Sequence, residues 1–420
     1  MNRLKKNLPH YLLFLFSILF MAAVPSYTAQ AVSQAAVPFL LISPSPRANG
    51  MGNTYTALSA DDPMAVYFNP AYIGLIAREH SFSGGFYPKE MPWLSQLVND
   101  MYYSYKSYNI GFNFSKSHLG IPISAGIGYS KTYFDMGEMV ATNEYGEITA
   151  VSHAWSRSTN FSTGICIDYY LRTSIGVIFK HIESRLGGIL AKANAVDMGL
   201  VFQLPLFEIG NKLINSSESI PRFTPFLVPV FSYSISNIGN KISYIVESQA
   251  SPLPRAARVG IGFEGGFVWT RENLKWKLFS LKIATEEEDI LITTNPDGTW
   301  NYRKGIGDIS IFSDLIAGHG NSNVMKHKGR EINLFDIITL RYGRYEDVEG
   351  AVCYKTEGFG LSFSGLLKAI GFFNPGMYNT KSFRFIAEHF DIQYHESSFK
   401  FSDIHHPLAG TKFRGLTIVL

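Results

Sequence analysis

The residues with the most definite chemistry lie near the start of the sequence, between positions 47 and 62. Arg47 supplies a guanidinium group, and Asp61 and Asp62 supply adjacent carboxylates. Where water is excluded, a carboxylate accepts hydrogen bonds from backbone N–H groups or from arginine, so Arg47 is a candidate partner of the acidic pair. Both side-chain types also suit a purely structural role, and we favour that role over direct contact with a ligand.

Turn-forming residues accompany these charges. Gly50 and Gly52 allow tight backbone conformations that other residues avoid. Asn69 precedes Pro70 and Ala71, and an Asn-Pro step favours a turn. We therefore expect the chain to change direction here and to enter its first strand.

The sequence lacks the motifs of the common catalytic sites. It contains no Gly-x-Ser-x-Gly, P-loop or His-Glu-x-x-His motif, so we predict neither enzyme activity nor a cofactor. His405 and His406 are adjacent, but no second pair at ligand spacing accompanies them, and we predict no metal site. Cys166 and Cys353 both lie in strand-like runs, where they could form a disulfide or stay two unpaired thiols.

The start of the chain has the order of an export signal. Arg3, Lys5 and Lys6 precede an apolar run over residues 11–24, and Ala29-Gln-Ala31 follows it. The apolar run has about 14 residues, fewer than the ~20 that span a bilayer as a helix. We therefore predict a cleaved signal peptide over residues 1–31 and a mature chain that begins near Val32.

The composition is aromatic and weakly charged. The chain has 23 Tyr, 32 Phe and 37 Gly, and charged residues make up 17%, against about 25% in ordinary soluble domains. The formal charge of +3 equals the three basic residues of the predicted signal peptide, so the remainder is neutral. A neutral chain gives no electrostatic reason to expect nucleic acid as a partner.

Strands with alternating side chains recur along most of the chain. In 121–130, apolar residues occupy one face, while Pro, Ser and Gly occupy the other; 108–114, 159–170, 174–185 and 194–203 also fit strands. The segment 384–394 alternates less regularly, because Arg384 and Glu388 interrupt its apolar face. Second faces rich in Gly, Ser, Asn and Ala are typical of strands in a membrane. We predict an all-β fold, a transmembrane antiparallel β-barrel over residues 80–420, with a secreted β-sandwich as the alternative.

Three polar, turn-rich segments interrupt the predicted strands, near 210–224, 284–305 and 313–330. Each is long for a hairpin connection, so we predict loops or lids on one side of the membrane. The acidic run 286–289 falls in the second segment. We interpret it as part of a solvated loop rather than as a site for a cation or for cargo.

The chain ends in a strand-like pattern. Leu416, Ile418 and Leu420 share one face of this strand, and Gly415 lies on the other. The pattern resembles the C-terminal signal by which bacterial barrels are passed to their assembly machinery. Leu420 departs from the usual terminal Phe. We expect these four residues to act as a barrel assembly signal.

Several motifs resemble a known family of membrane barrels. Arg47-Ala-Asn-Gly-Met-Gly52, Ala57-Leu-Ser-Ala-Asp-Asp62 and Tyr67-Phe-Asn-Pro-Ala71 together resemble the N-terminal signature of FadL-like outer-membrane proteins. The stretches 92–101, 137–140, 236–243 and 253–260 resemble the PorV/PorQ branch of that superfamily. The resemblance implies a barrel of about fourteen strands in the cell outer membrane, with residues 32–79 folded into the lumen as a hatch.

The resemblance also carries two expectations about function. PorV-type proteins act in type IX protein secretion and bind exported cargo through its C-terminal signal domain. FadL-type proteins are passive channels for hydrophobic compounds such as long-chain fatty acids, and this is the alternative; a purely structural role in a secretion complex is a third. Expected partners are outer-membrane lipid, the barrel assembly machinery, secreted proteins and other secretion components. The hatch motif, structural or gating in role, consists of Arg47, Gly50, Gly52, Asp61, Asp62, Asn69, Pro70 and Ala71.

Overall fold

The computed structural model describes residues 35–58, 62–116, 121–208, 223–272, 274–295, 297, 299–317 and 321–420. The predicted signal peptide, Asp61 of the hatch motif and most of the predicted loop 210–224 lie outside these residues.

The described chain is built mainly from strands. In chain order they are β1 (Phe82–Phe86), β2 (Met91–Pro92), β3 (Tyr102–Asn113), β4 (Ile123–Thr142), β5 (Ile148–Asp168), β6 (Arg172–Leu186), β7 (Ile189–Gln203), β8 (Phe223–Gly239), β9 (Ala256–Arg271), β10 (Leu274–Ile290), β11 (Ile292–Thr294), β12 (Trp300–Tyr302), β13 (Met325–Leu334), β14 (Ile338–Asp347), β15 (Val352–Ser362), β16 (Asp391–Lys400) and β17 (Lys412–Val419). The helices discussed below are α1 (Pro46–Gly50), α2 (Tyr72–Glu79), α3 (Phe363–Phe373), α4 (Pro375–Tyr378) and α5 (Lys381–His389).

Fourteen of the described strands close into one antiparallel barrel. Successive strands pair from β3 to β10, β10 pairs with β13, and pairing continues to β17. β1 closes the wall, because Gly84 lies opposite both Ile418 of β17 and Tyr108 of β3. β2 continues the edge of β1 along β3, and β11 and β12 form a separate hairpin. The predicted all-β barrel is confirmed.

The wall is apolar on the outside and polar on the inside. On β5, Phe161 is 60% exposed, whereas its neighbour Asn160 is buried against the lumen. Ile110, Ile127 and Met198 likewise point outward and are exposed. Each belongs to the apolar face of an alternating segment in the sequence. A soluble protein has its apolar residues inside and its polar residues outside. The opposite arrangement seen here is that of a barrel surrounded by lipid. Among the helices that the structure describes, none is long and apolar enough to cross a membrane.

Residues 35–58 and 62–79 fold inside the barrel, and we call these two ranges the hatch. The hatch contains α1, α2 and 3₁₀ turns over Pro38–Leu41 and Pro63–Tyr67. Its side chains are almost all buried. The sequence predicted that the Asn69-Pro70 turn enters the first strand, but the turn leads into α2, and β1 begins only at Phe82. The apolar residues 72, 73, 75 and 76 form a helical face that packs on the wall.

The two ends of the barrel differ. The terminal end, where β1 begins and β17 finishes, has tight turns at 169–171 and 335–337, beside the longer connections that follow β7 and β15. The opposite end, which we call the mouth, has excursions over 240–255, 291–324 and 401–411. Short turns are typical of the periplasmic side of outer-membrane barrels and longer loops of the outer side. Because the longest connection between two barrel strands, over residues 291–324, leaves the mouth, we assign the terminal end to the periplasm.

The predicted loops need correction in extent and in side. Residues 284–290 continue β10 and residues 325–330 belong to β13. Glu286, Glu288 and His327 fill inward positions of these strands, whereas Lys328 and Arg330 are exposed on the outer face. The polar residues of both segments thus belong to strands and not to loops. The loops also do not share one side, because β7 ends and β8 begins at the terminal end, whereas 291–324 leaves the mouth.

The irregular strand predicted over 384–394 is wrong for its first half. Residues 381–389 form α5, and β16 begins at Asp391. Phe383 and Ala387 are four residues apart and pack in one cluster, as side chains on one helical face do. Arg384 and Glu388, which interrupted the alternation, are also four residues apart. This spacing of four residues was the sequence signal for a helix in this segment.

Candidate functional site

A row of glycines in the wall receives the hatch. Five glycines lie opposite one another in register across β3–β7: Gly111, Gly126, Gly164, Gly176 and Gly199. A Cβ at Gly126 would lie 2.6 Å from the carbonyl oxygen of Ile73, and one at Gly176 would lie 2.2 Å from that of Pro70. Glycine is needed here because the hatch backbone approaches the wall more closely than any side chain permits.

The Asn-Pro-Ala motif is bonded to the same side of the wall. The Asn69 amide nitrogen donates to the carbonyl oxygens of Leu200 and Tyr233, each at 3.2 Å, and its oxygen accepts from the Ala71 N–H at 3.0 Å. Ser174 Oγ donates to the Ala71 carbonyl oxygen at 2.6 Å. These bonds fix the end of the turn against β6, β7 and β8.

Asp62 organises the interior of the hatch. Its carboxylate accepts hydrogen bonds from Ser45 Oγ at 2.8 Å, from Tyr55 Oη at 2.9 Å and from the Met64 N–H at 2.8 Å. Burial raises the pKa of Asp62 above its ordinary value, although the charge of Arg47 and these hydrogen bonds act to lower it. The predicted use of Asp62 as an acceptor of hydrogen bonds is thus observed, with donors from the hatch itself.

Arg47 joins the hatch to the wall through a buried ion cluster. Its Nε and Nη2 atoms lie 2.7 and 2.6 Å from the two carboxylate oxygens of Glu331 on β13. Arg341 Nε lies 2.6 Å from the same carboxylate, and Lys282 Nζ lies 3.4 Å from it. All four side chains are at most 5% exposed. Arg47 thus pairs with a distant wall residue, and its charge also acts on Asp62 of the predicted acidic pair, while Asp61 lies outside the described residues.

Gly50 and Gly52 lie against the opposite side of the wall from the glycine row. Gly52 has a φ of 69°, and a Cβ there would lie 2.6 Å from the Arg344 backbone nitrogen. The Gly52 N–H donates to Thr356 Oγ1, which donates to the Gly50 carbonyl oxygen, both at 2.9 Å. The Cβ of any residue in place of Gly50 would lie 3.0 Å from the Gly358 Cα. Both motif glycines thus serve close contact with the wall.

The acidic run 286–289 is buried, so its interpretation as a solvated loop is wrong. Glu286 accepts hydrogen bonds from the backbone N–H groups of Tyr55 and Thr56, each at 2.8 Å, and pairs with Arg258 at 3.0 Å. The run lies at the end of β10 that is nearest the mouth, where Glu286 contacts the hatch. Lys282, Ala284, Glu286 and Glu288 are spaced two residues apart and lie on one face of β10. This spacing was the sequence signal that could have placed the run on a strand.

Above the hatch, a cleft of about 630 Å³ opens at the mouth. Hatch residues such as Ile42, Asn49 and Asn53 form its floor. Its walls carry five large aromatic side chains, Trp93, Tyr345, Tyr354, Phe399 and Phe413. A concave surface with several rigid aromatic side chains is suited to hold an apolar or cationic group.

The cleft is also acidic. Five carboxylates line it, those of Glu288, Asp289, Asp308, Asp347 and Glu349, against the two guanidinium groups of Arg258 and Arg303. Glu288 pairs with Arg258 at 2.6 Å and Asp289 with Arg303 at 2.5 Å. Glu349 lies at the exposed edge. The cleft thus has an acidic and aromatic surface that is open at the mouth.

Other candidate groups form no reactive centre in the described part of the chain. Within the ranges that the structure describes, no group of three or more His, Cys, Asp and Glu residues could hold a metal ion. Cys166 is buried, Cys353 is exposed, and the two are not bonded to each other. Of the two alternatives left open by the sequence, the structure has the unpaired thiols.

Sequence comparison identifies a related family for the N-terminal part of the chain. A family model described as type IX secretion system protein PorV matches residues 26–196. This range includes the hatch, the glycine row except Gly199, strands β1–β6 and the first half of β7. No curated protein matches the sequence. Together with the closed barrel, the match supports an outer-membrane location, and the predicted location is confirmed.

Solved structures give weaker likenesses. The toluene transporter TodX of Pseudomonas putida is 9% identical, with 93% of this chain and 98% of that chain covered and a TM-score of 0.38. A FadL homologue of Pseudomonas aeruginosa is 10% identical, with 93% and 98% covered and a TM-score of 0.35. CdiB from Acinetobacter baumannii is 10% identical, with 81% and 60% covered and a TM-score of 0.34. With TM-scores below 0.5, these likenesses assign no function to this chain.

Proposed function

We propose that this outer-membrane barrel, whose resemblance to the PorV family is confirmed over residues 26–196, acts in type IX protein secretion by binding exported proteins at its mouth. The family match supports the secretion role. The resemblance implies that the cargo is bound through its C-terminal signal domain, and the binding of cargo at the mouth is our own inference from the geometry.

The observation that carries the proposal is the position of the cleft above a filled lumen. Hydrogen bonds join the hatch to the wall on several sides, for example Ser124 to the Gly74 carbonyl, Ser234 to the Phe68 carbonyl and His327 to the Gly52 carbonyl. A passive channel needs a path for its solute, whereas a docking site needs a shaped and accessible surface. The alternative, FadL-type uptake of hydrophobic compounds, requires the hatch to move and is not favoured.

The chemistry of the cleft indicates what part of a protein it would bind. Aromatic side chains such as Tyr345 and Phe413 supply large contact areas, which dominate the energy of many protein interfaces. The excess of carboxylates attracts basic side chains and repels acidic ones. We therefore expect the bound segment of the cargo to present lysine or arginine beside an apolar residue.

The decisive experiment compares two charge reversals in a deletion strain. Glu349→Arg places a cation at the edge of the cleft, and Glu144→Arg makes the same change at an exposed site on the β4–β5 turn, outside the residues that line the cleft. We expect Glu349→Arg to leave type IX cargo in the periplasm at several-fold higher levels, while Glu144→Arg restores normal secretion. The amount of folded barrel in the outer membrane is measured for both variants.

Uptake of a long-chain fatty acid by the same strains separates the alternatives. The proposal predicts normal uptake in the deletion strain and defective secretion. Normal secretion with impaired uptake would replace it by the channel function. Normal secretion with both variants and with the deletion would reject a role in cargo transfer.

A further inference from the structure

The connection between β15 and β16 differs from the tight turns at the terminal end. It contains α3, α4 and α5, whereas the β5–β6 and β13–β14 connections are turns over 169–171 and 335–337. We call residues 363–390 the helical foot. Since the terminal end is the periplasmic end, the foot lies at the inner surface of the outer membrane.

The foot packs on the outside of the barrel wall. Trp269 and Trp276 face each other across β9 and β10, on the same face of the wall as the exposed Phe267. The ring of Phe372 in α3 lies 4.8 Å from that of Trp269 and 5.4 Å from that of Trp276, between centroids. Arg271 donates a hydrogen bond to the Phe372 carbonyl oxygen at 3.1 Å. These contacts hold α3 against the lipid-facing side of the barrel.

The side of α3 that points away from the wall is also apolar. Phe363, Leu366, Ile370 and Phe373 recur at spacings of three and four residues and are 42%, 46%, 45% and 82% exposed. Beyond α3, the foot also exposes Met377, Phe385 and Ile386. A helix that is apolar all round is stable only where its surroundings are apolar. Its 11 residues span about 16 Å, too short to cross a bilayer.

Two observations identify lipid as the medium around this face. The stripe is continuous with the lipid-facing wall, where Ile338, Phe359 and Leu361 are exposed beside the start of α3. The foot also carries three basic residues, Lys368, Lys381 and Arg384, against one acidic residue, Glu388. An apolar face with basic residues beside it is typical of a helix that lies in the interface of a membrane with anionic lipid.

We propose that the helical foot lies in the phospholipid leaflet on the periplasmic side of the outer membrane. The stripe that ends at Phe373 contacts the acyl chains, and Lys381 and Arg384 lie near the phosphate groups. Lys368 pairs with Asp336 at 2.9 Å and ties α3 to the β13–β14 turn. The foot thereby fixes the depth of the barrel in the membrane. This inference does not depend on the secretion role.

The test places a fluorescent probe at Phe373 of the full-length protein. Cys166 and Cys353 are first replaced by serine, and Phe373→Cys is then labelled with a polarity-sensitive dye. Ile245→Cys is the matched control, because Ile245 is an apolar residue with 76% exposure at the mouth. Both variants are reconstituted in vesicles of phosphatidylethanolamine and phosphatidylglycerol, and their heat-dependent gel mobility confirms folding.

We expect the dye at residue 373 to emit at shorter wavelength and to be quenched by spin-labelled lipid. Aqueous iodide should quench it several-fold less than the dye at residue 245. Equal quenching of both dyes by iodide would overturn the proposal. Protection of residue 373 in native outer membranes but not in the purified vesicles would also overturn it, in favour of a protein partner that covers the foot.

Discussion

At the scale of single residues, the charge of Glu331 is the feature that most tightly couples the hatch to the wall. Its carboxylate is shared by Arg47 from the hatch and by Arg341 and Lys282 from neighbouring strands. Taking these charges out of water costs several kcal/mol for each ion, so the cluster is stable only while the opposite charges remain together. The cluster therefore joins the hatch to the wall, and the loss of one of its charges should destabilise the barrel.

We predict that Glu331→Gln destabilises the folded barrel by about 3–5 kcal/mol, because it leaves buried cations without their shared carboxylate. Unfolding by guanidinium in detergent, followed by tryptophan fluorescence, measures the change in the free energy of unfolding. The matched control is Glu357→Gln, since Glu357 forms an exposed pair with Lys400 at 3.6 Å. An exposed pair of this kind contributes little to stability.

Equal midpoints for Glu331→Gln, Glu357→Gln and the parent protein would contradict this account of the cluster. Such a result would mean that the hydrogen bonds of Asp62, Asn69 and Glu286 hold the hatch without help from the ion pairs.

At the scale of elements, the contact between α2 and the glycine row decides how the hatch fits into the barrel. The inward glycines of β3–β7 give this side of the wall a flat surface, and the turn and helix over residues 69–79 lie directly on it. The wall tolerates so many glycines because its stability comes from continuous pairing between long strands.

We predict that Gly176→Ala displaces the Asn69–Ala71 turn, because the added Cβ would lie 2.2 Å from the Pro70 carbonyl oxygen. Overpacking of this kind costs about 1–3 kcal/mol. The displaced hatch should raise ion conductance through single barrels in planar bilayers. Gly84→Ala is the control, since its Cβ would meet nothing nearer than 3.4 Å. Closed channels in both variants would show that the turn does not seal the lumen.

At the scale of the whole molecule, the barrel closes through the pairing of its last strand with its first. The Leu420 N–H donates to the Phe82 carbonyl oxygen at 2.8 Å, and the Leu420 carbonyl oxygen accepts from Ser81 at 2.7 Å. Leu416, Ile418 and Leu420 point outward on this seam, and Gly415 points inward against Pro46 of the hatch. The residues predicted as an assembly signal thus lie at the closing seam.

We predict that Leu420→Asp lowers the amount of assembled barrel in the outer membrane with little effect on export. The reason is that a charge on the lipid face of the closing strand opposes its insertion. Leu420→Phe should assemble as well as the parent protein. Assembled and unassembled forms are counted from their mobility on unheated gels of membrane fractions. Normal yield of Leu420→Asp would remove Leu420 from the assembly signal.

The sequence alone was sufficient to identify the barrel and its lipid-facing residues. Alternation with a period of two residues is a local property, so segments such as 121–130 and 194–203 predict their own inside and outside faces. The same reasoning assigned Leu416 and Ile418 to the outer face. It also identified the motif between Arg47 and Ala71, because turn-forming residues and charges are visible without knowledge of their contacts.

The tertiary structure was needed to find the partners of that motif and the true place of two segments. Arg47 and Glu331 are 284 positions apart, and no local pattern pairs residues at that distance. The run 286–289 looks solvated in sequence, but the hatch covers Glu286 and the excursion over 291–324 covers Asp289, so the run is a buried end of β10. The sequence predicts a strand over 384–389, within α5, because alternation and helical spacing overlap in short segments. The helix is the structure that this segment adopts, because it packs Ala387 against Tyr378 and the wall.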